Sequence, residues 1–357
     1  MKTDKYRVGI VGLSGISAMR GTQTLGGSLL ADEMSSGHVS AYDSVPETDI
    51  VAVCELKQDY IDKFADDWGD KFPDANPYTD YREMISRENL DILSVVTSDD
   101  RHTDIVVCAA ENGIKRIICE KPLATTVEDC TKMIDICDAN GVTMNINHTR
   151  RFLQPYHVAK KAINEGAIGK VKRIVAGLGG PRAMLFRNGT HLIDGVVFFA
   201  DSDPDWVFAE LDEGHENYAV YSGDGGRDPA GDPDGSGYIH FKNGVRAFIN
   251  ASKGQQPAEW LQIIGEEGQI NLSGAPRQKV IHRPGPAKGG QVNWKTIELT
   301  YSDYKYTGLS AAIKEIINVS NNGGQVTSPA SEAKKTVDII IGFLKSQESG
   351  NKRINLS

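Results

Sequence analysis

Between residues 6 and 146 short, unbroken apolar runs alternate with amphipathic stretches. The runs are YRVGIV (6–11), DIVAVC (49–54), DILSVV (91–96), KRIICE (115–120) and VTMNI (142–146). Each is continuous rather than alternating, as strands covered on both faces of a parallel sheet must be. Between them, segments 58–67, 80–87, 102–112 and 127–140 carry apolar residues at helical spacing. Repeated βαβ units of this kind predict an α/β fold with a doubly wound parallel sheet.

After about residue 151 the rhythm changes. Helical patterns at 155–165 and 190–200 accompany period-two segments at 171–178, 237–243, 245–252, 260–266 and 268–273, with turn signals at Lys242-Asn243-Gly244 and Glu267-Gly268. These predict an open, mainly antiparallel sheet, closed by helices over 309–320 and 331–347. Two domains are expected, 1–148 and 149–357, in keeping with a chain of 357 residues. The acidic, Gly-rich segment 212–237 predicts a long loop able to overhang a site. Asp232, Asp234 and Gly235 resemble part of a calcium loop, but no Glu closes the twelve-residue span, and no metal is expected.

Charge narrows the function classes. Lys plus Arg total 39 against 48 Asp plus Glu, a net charge of -9 with no basic patch, which argues against a nucleic-acid partner. Five cysteines, Cys54, Cys108, Cys119, Cys130 and Cys137, have no metal-ligand or C-x-x-C spacing and read as reduced thiols. Neither a leader-like start nor an 18-residue apolar run is present, so a cytoplasmic location without membrane contact is expected.

The first run enters a Gly-rich turn, VGIVGLSGIS, in which Gly12, Ser14, Gly15 and Ile16 could present backbone N–H groups to a diphosphate. A G-x-G-x-x-G reading from Gly12 puts Ser14 and Ser17 at the second and third glycine positions; a plain tight turn fits the same residues. Glu55 ends the second strand, where dinucleotide folds use an acid to accept from ribose hydroxyls. Its distance from the glycines is explained by an insertion over 18–36 ahead of a first helix at 38–44. That insertion would lie over the cofactor, or else form a surface or oligomer contact.

Glu120-Lys121-Pro122 follows the fourth run, and here the sequence resembles the Gfo/Idh/MocA oxidoreductases. The resemblance also includes the turn at Gly12, Tyr78 to Tyr81, Thr97 with His102, Arg150-Arg151-Phe152, Gly189 to Asp194, Phe241 to Gly244, Gly265 to Gly268 and Ser328 to Glu332. It implies a Rossmann domain binding NAD, with NADP the lesser alternative, through Gly12, Ser14, Gly15, Ile16, Glu55, Thr97, His102, Glu120 and Lys121. It also implies a substrate domain that mediates homodimers or homotetramers, and a small sugar, cyclitol or related polyol as substrate. The usual chemistry moves hydride between a carbinol carbon and nicotinamide.

Such chemistry needs a base for the hydroxyl proton and positive charge near the developing alkoxide. Lys121 at a strand's carboxyl end suits both, and His191 matches the family histidine at the reacting hydroxyl. Asp194, one turn later, reads equally as structural. Many members carry Asp four residues before the histidine; this chain has Arg187, a permanent cation that cannot act as that carboxylate. Asn188 could orient a hydroxyl, and Arg151, Arg182, Arg187 and His148 are candidates for the substrate wall. Arg187 could instead pair with Asp194 or with the acidic loop. The leading expectation is an NAD-dependent dehydrogenase; alternatives are a redox-neutral NAD-dependent glycosidase or lyase, and a non-catalytic sugar or nucleotide sensor.

Overall fold

The computed structural model describes residues 5–24, 33–216, 231–255, 258–273, 279–282, 295–298 and 305–356. The first part of the chain forms β1 (Tyr6–Val11), β2 (Thr22–Thr24), β3 (Glu33–Ser35), α1 (His38–Asp43), β4 (Thr48–Cys54), α2 (Gln58–Trp68) and β5 (Asn76–Tyr78). It continues through α3 (Tyr81–Arg87), β6 (Ile92–Val95), α4 (His102–Glu111), β7 (Arg116–Cys119), α5 (Val127–Ala139) and β8 (Thr143–Ile146). Six strands make one parallel sheet in the order β5-β4-β1-β6-β7-β8. Val8, Ile10, Ile92, Leu93, Val95, Ile117, Ile118 and Ile146 are fully buried, because helices cover both faces and water reaches neither. The chain leaves β1 in opposite directions, which sets a topological switch point at the carboxyl ends of β1 and β6.

The insertion is a hairpin excursion. Thr22 pairs with Ser35, and the Ser36 N–H donates to Gly21 O at 3.0 Å. The chain then rejoins the turn it left: the His38 N–H donates to Ile16 O at 3.1 Å and the Val39 N–H to Ser17 O at 2.9 Å. Gly37 lies against the Ile16 carbonyl, which a Cβ would strike. Gly37 is thus a second close approach in this turn, beside the buried Ser17, whose Oγ donates to Gly12 O at 2.6 Å. The base of the excursion is pinned at both sides, by Trp68 Nε1 donating to Ala18 O at 2.9 Å and by Ser35 Oγ at 2.9 Å from Ser310 Oγ. Residues 25–32 lie outside the described residues.

The second part comprises α6 (Gln154–Asn164), β9 (Val171–Gly179), α7 (Thr190–Ala200), β10 (Pro204–Leu211), β11 (Gly235–Phe241), β12 (Arg246–Ser252) and β13 (Ala258–Gly265). Then come β14 (Gly268–Ser273), β15 (Lys279–His282), β16 (Lys295–Glu298), α8 (Gly308–Asn322), α9 (Ala330–Glu348) and β17 (Ile354–Asn355). A nine-stranded sheet runs β16-β15-β14-β13-β9-β12-β11-β10-β17 and is antiparallel except where β9 meets β12. Its inner face, including Ile174, Val207, Ile239, Phe241 and Ile263, packs with α6, α7 and α9 in one core. Its outer face carries Trp206, Phe208, Tyr238, Phe248 and Trp260 in ring contact or exposed, with Phe208 and Phe248 at 42% and 46% exposure.

The C-terminal helices cross the expected division between the domains. Leu309, Ile313, Ile316 and Ile317 of α8 share a core with Val8 and Ile10, and the first half of α9 packs on the first sheet while Ile339, Ile340 and Phe343 pack on the second.

Candidate active site

Gly12 has φ +95°, and a Cβ there would run into the Val96 carbonyl, so only glycine lets the turn lie on the Val96-Thr97 backbone. Ser14 is half-buried, Gly15 and Ile16 are exposed, and the space above Gly15 is open. Glu55 ends β4 with Oε2 accepting from the Leu13 N–H at 3.0 Å and Oε1 from the Lys57 N–H at 3.3 Å. An open, glycine-walled turn with an acid fixed beside it at the carboxyl edge of a parallel sheet fits a dinucleotide. Gly12, Ser14, Gly15 and Ile16 would hold its diphosphate and Glu55 its adenosine ribose.

Lys121 follows β7 at the same edge, with a cis peptide to Pro122. Its Nζ donates to the backbone O of Arg187 at 2.8 Å. Burial, reinforced by the charge of Arg187, brings the amine down to about 8 against the pull of Glu120. Behind it stands a buried polar network that the sequence did not reveal. His38 Nε2 contacts Glu120 Oε1 at 2.9 Å, Asn147 Nδ2 donates to the same oxygen, and Ser94 Oγ bridges His38 Nδ1 at 3.2 Å and Tyr42 OH at 2.7 Å. Burial favours a neutral Glu120, but the His38 bond and charge outweigh it and hold the carboxyl at about 2.

The facing wall is one π-helical turn, Leu185–Gly189, closed by the Gly189 N–H donating to Met184 O at 2.6 Å and running into α7. Single π turns of this kind gather at functional sites. The Phe186 and Arg187 N–H groups donate to Asp232, at 3.2 Å to Oδ1 and 3.0 Å to Oδ2. Burial pushes that carboxyl up to about 7 despite both bonds. Asp234 accepts from the Lys253 N–H at 2.7 Å, so both acids of the loop's end serve the scaffold. His191 begins α7 with a buried Nδ1 lacking a hydrogen-bond partner among the described residues. Burial and the charge of Arg150 hold its ring neutral, well below the usual imidazole range.

Four expected contacts turn inward instead. Arg151 is buried and clamps Asp194 through Nε, at 3.0 and 2.9 Å, and Nη2, at 2.8 Å, with Nη1 on Thr327 O at 3.0 Å. His148 lies behind His191, ring centroids 6.1 Å apart, with Nδ1 3.1 Å from Asp194 Oδ1 but misaligned for a hydrogen bond; burial lowers it to about 4. The buried Asp194 charge holds both residues. His102 Nδ1 sits 3.1 Å from Pro122 O, against the lysine's turn. Glu120 has Oε1 on His38 and Asn147 and Oε2 3.3 Å from the Lys121 N–H. Thr97 stays beside Gly12, while Arg182 is exposed and Arg187 and Asn188 are half-buried near Lys121 and His191. Asp194 does not pair with Arg187.

The fold and this edge define an NAD-binding oxidoreductase. Residues 6–148 match the family model described as oxidoreductase family, NAD-binding Rossmann fold, and residues 156–271 match the Gfo/Idh/MocA C-terminal domain. The chain belongs to the Gfo/Idh/MocA family. It is 38% identical over 98 residues to the 2,7-anhydro-N-acetylneuraminate hydratase of Mediterraneibacter gnavus, 28% of this chain and 26% of that protein. To the scyllo-inositol 2-dehydrogenase (NAD(+)) of Bacillus subtilis it is 28% identical over 66% of this chain and 70% of that protein. In the first relatives matched, the chain spans only 24% to 37% of their length. The structure of levoglucosan dehydrogenase in complex with NADH shares the fold, with TM-score 0.75 and 17% identity over 99% of each chain. Among the described residues no helix is long and apolar enough to cross a membrane.

Proposed function

We propose that the protein is an NAD-dependent dehydrogenase acting on a carbinol carbon of a sugar, cyclitol or sugar derivative, with Lys121 accepting the hydroxyl proton. The observation that carries this reading is the half-buried Lys121 amine at the carboxyl edge of the first sheet, its Nζ on the Arg187 carbonyl at 2.8 Å, with the buried Nδ1 of His191 unpartnered among the described residues; burial that brings the amine to about 8 supports it. An amine in that range is a competent base close to neutral pH, and its protonated form stabilises a developing alkoxide. His191 serves as a neutral hydrogen-bonding partner for the hydroxyl, and Asn188 helps orient it. NAD, when bound, supplies the hydride acceptor. The scyllo-inositol dehydrogenase relative supports the substrate class.

The hydratase relative, together with Arg187 where many members carry Asp, favours a second reading in which the cofactor is regenerated within one turnover. Incubating the protein with NAD and a panel of sugars and cyclitols, reading NADH absorbance and product chromatography together, separates the two. NADH is expected in step with oxidised product. Product released without net NADH would replace the dehydrogenase reading by the redox-neutral one.

Preference for NAD belongs to the same proposal. Glu55 accepts from ribose hydroxyls and repels a 2′-phosphate, so NAD should exceed NADP in kcat/KM by at least about tenfold, a gap that Glu55→Gln narrows. We further propose a cytoplasmic homodimer or homotetramer. The contiguous aromatic outer face of the second sheet is an apolar patch of the sort that marks a protein interface, and sedimentation of Phe248→Glu against wild type tests it.

A further inference from the structure

The acids around the lysine are already committed. Glu120 is held by His38 and Asn147, Asp194 by Arg151, Asp232 by the amides of the π turn, and Glu259 by the Arg150 fork. Three cations on the mouth side, Lys121, Arg182 and Arg187, are left with no carboxylate partner among the described residues. Burial lowers both Lys121 and Arg182, and the charge of Arg187 adds to it in each case, against the pull of Glu120 and Asp99 on the lysine. Beside them lies His191 with its buried, unpartnered Nδ1. Guanidinium groups with no carboxylate partner among the described residues present planar donors that suit an oxyanion.

We propose that the substrate is a sugar acid, whose carboxylate is bound by Arg187 with Arg182 while its reacting carbinol faces Lys121 and His191; the second half of this statement rests on the dehydrogenase reading. The π turn suits the task. It fixes the Arg187 backbone twice, through its N–H on Asp232 and its carbonyl on Lys121, and leaves the guanidinium as the free end. A neutral sugar would leave these cations without a counter-charge, so discrimination comes from the charge it lacks as well as from the contacts it makes.

Calorimetric titration of the NAD-loaded protein with D-glucuronate, N-acetylneuraminate, D-glucose and acetate tests binding apart from turnover. At least one sugar acid is expected to bind about tenfold or more tightly than glucose, and to weaken as ionic strength rises. Arg187→Gln should abolish the advantage, Arg182→Gln should reduce it, and Arg187→Lys should retain part of it. Thermal unfolding of each variant identifies those that fold. The wild-type ionic-strength series tests the idea without any variant. Equal binding of glucose and both acids, no binding of either acid at millimolar concentration, an advantage insensitive to salt, or acetate matching the acids would each overturn the proposal. Failure of every sugar to yield NADH while the acids still bind would sink the dehydrogenase reading and leave this one standing. NADH formation from neutral sugars, unchanged in Arg187→Gln, would do the reverse.

Discussion

The two sides of the cleft are built by opposite means. The cofactor side is made of backbone: Gly12 and Gly37 allow carbonyls and amides to approach where a Cβ would collide, and Glu55 is fixed beside the turn by the Leu13 N–H. The substrate side is made of buried charge: Asp194 under Arg151 and His148, Asp232 under the π turn, and Arg150 on Glu259. A backbone-built edge tolerates many sequences provided its glycines remain. An edge built from side chains changes specificity with one residue, and Arg187 is such a residue.

The largest effect that would test this contrast is at Asp194. Removing one partner of a buried charge cluster leaves Arg151 uncompensated, so Asp194→Ala should destabilise the protein by about 3–5 kcal/mol in chemical denaturation. A loss under about 1 kcal/mol would mean the charges are not what holds that wall. Next, Lys121→Ala should lower kcat by at least about a hundredfold while NAD binding, followed by fluorescence titration, stays near wild type. Near-normal turnover would remove Lys121 from the chemistry.

On the backbone side, Gly37→Ala should act on the cofactor more than on the fold. The new Cβ meets the Ile16 carbonyl, an atom that cannot swing aside, and the displaced turn should weaken NAD binding by about tenfold at a stability cost of about 1–3 kcal/mol. Unchanged affinity would show that the turn does not need that close approach.

The smallest effect is a pH shift. With neutral Lys121 as the proposed base, kcat/KM should rise with pH through about 8. Arg187 lowers that value by its charge, and Arg187→Gln should therefore move the rising limb to higher pH, by less than about one unit. A shift to lower pH would mean that Arg187 does not act on the amine through its charge.

How much of this could be read in the sequence depended on how local the cause was. Five strands of the first sheet are buried on both faces, so apolar runs marked them to within a residue or two, whereas the exposed edge strand β5 had no such run; periodicity marked helices such as Thr190–Ala200. β10 escaped because Trp206 and Phe208 face outward while Val207 and Ala209 face inward, which erases period-two contrast. The parallel pairing of β9 with β12 is a long-range choice that no local pattern records. Lys121 and His191 were legible through their motifs. His38 was not, since a histidine at a helix start carries no sign of a buried glutamate 82 positions away, nor was the pairing of Arg151 with Asp194, which is chosen only on folding.

The excursion between Ser17 and Ser36 has an evolutionary consequence. The amides of His38 and Val39 reach the carbonyls of Ile16 and Ser17, and if Ser17 were joined directly to Ser36 those same bonds would have ordinary i to i−4 helical spacing. The hairpin is thus a detour out of the first turn of a helix, returning to the register it left. Such a point acts as a splice junction in the protein itself: segments can be gained, lost or exchanged there over generations without rewriting the turn that receives the cofactor.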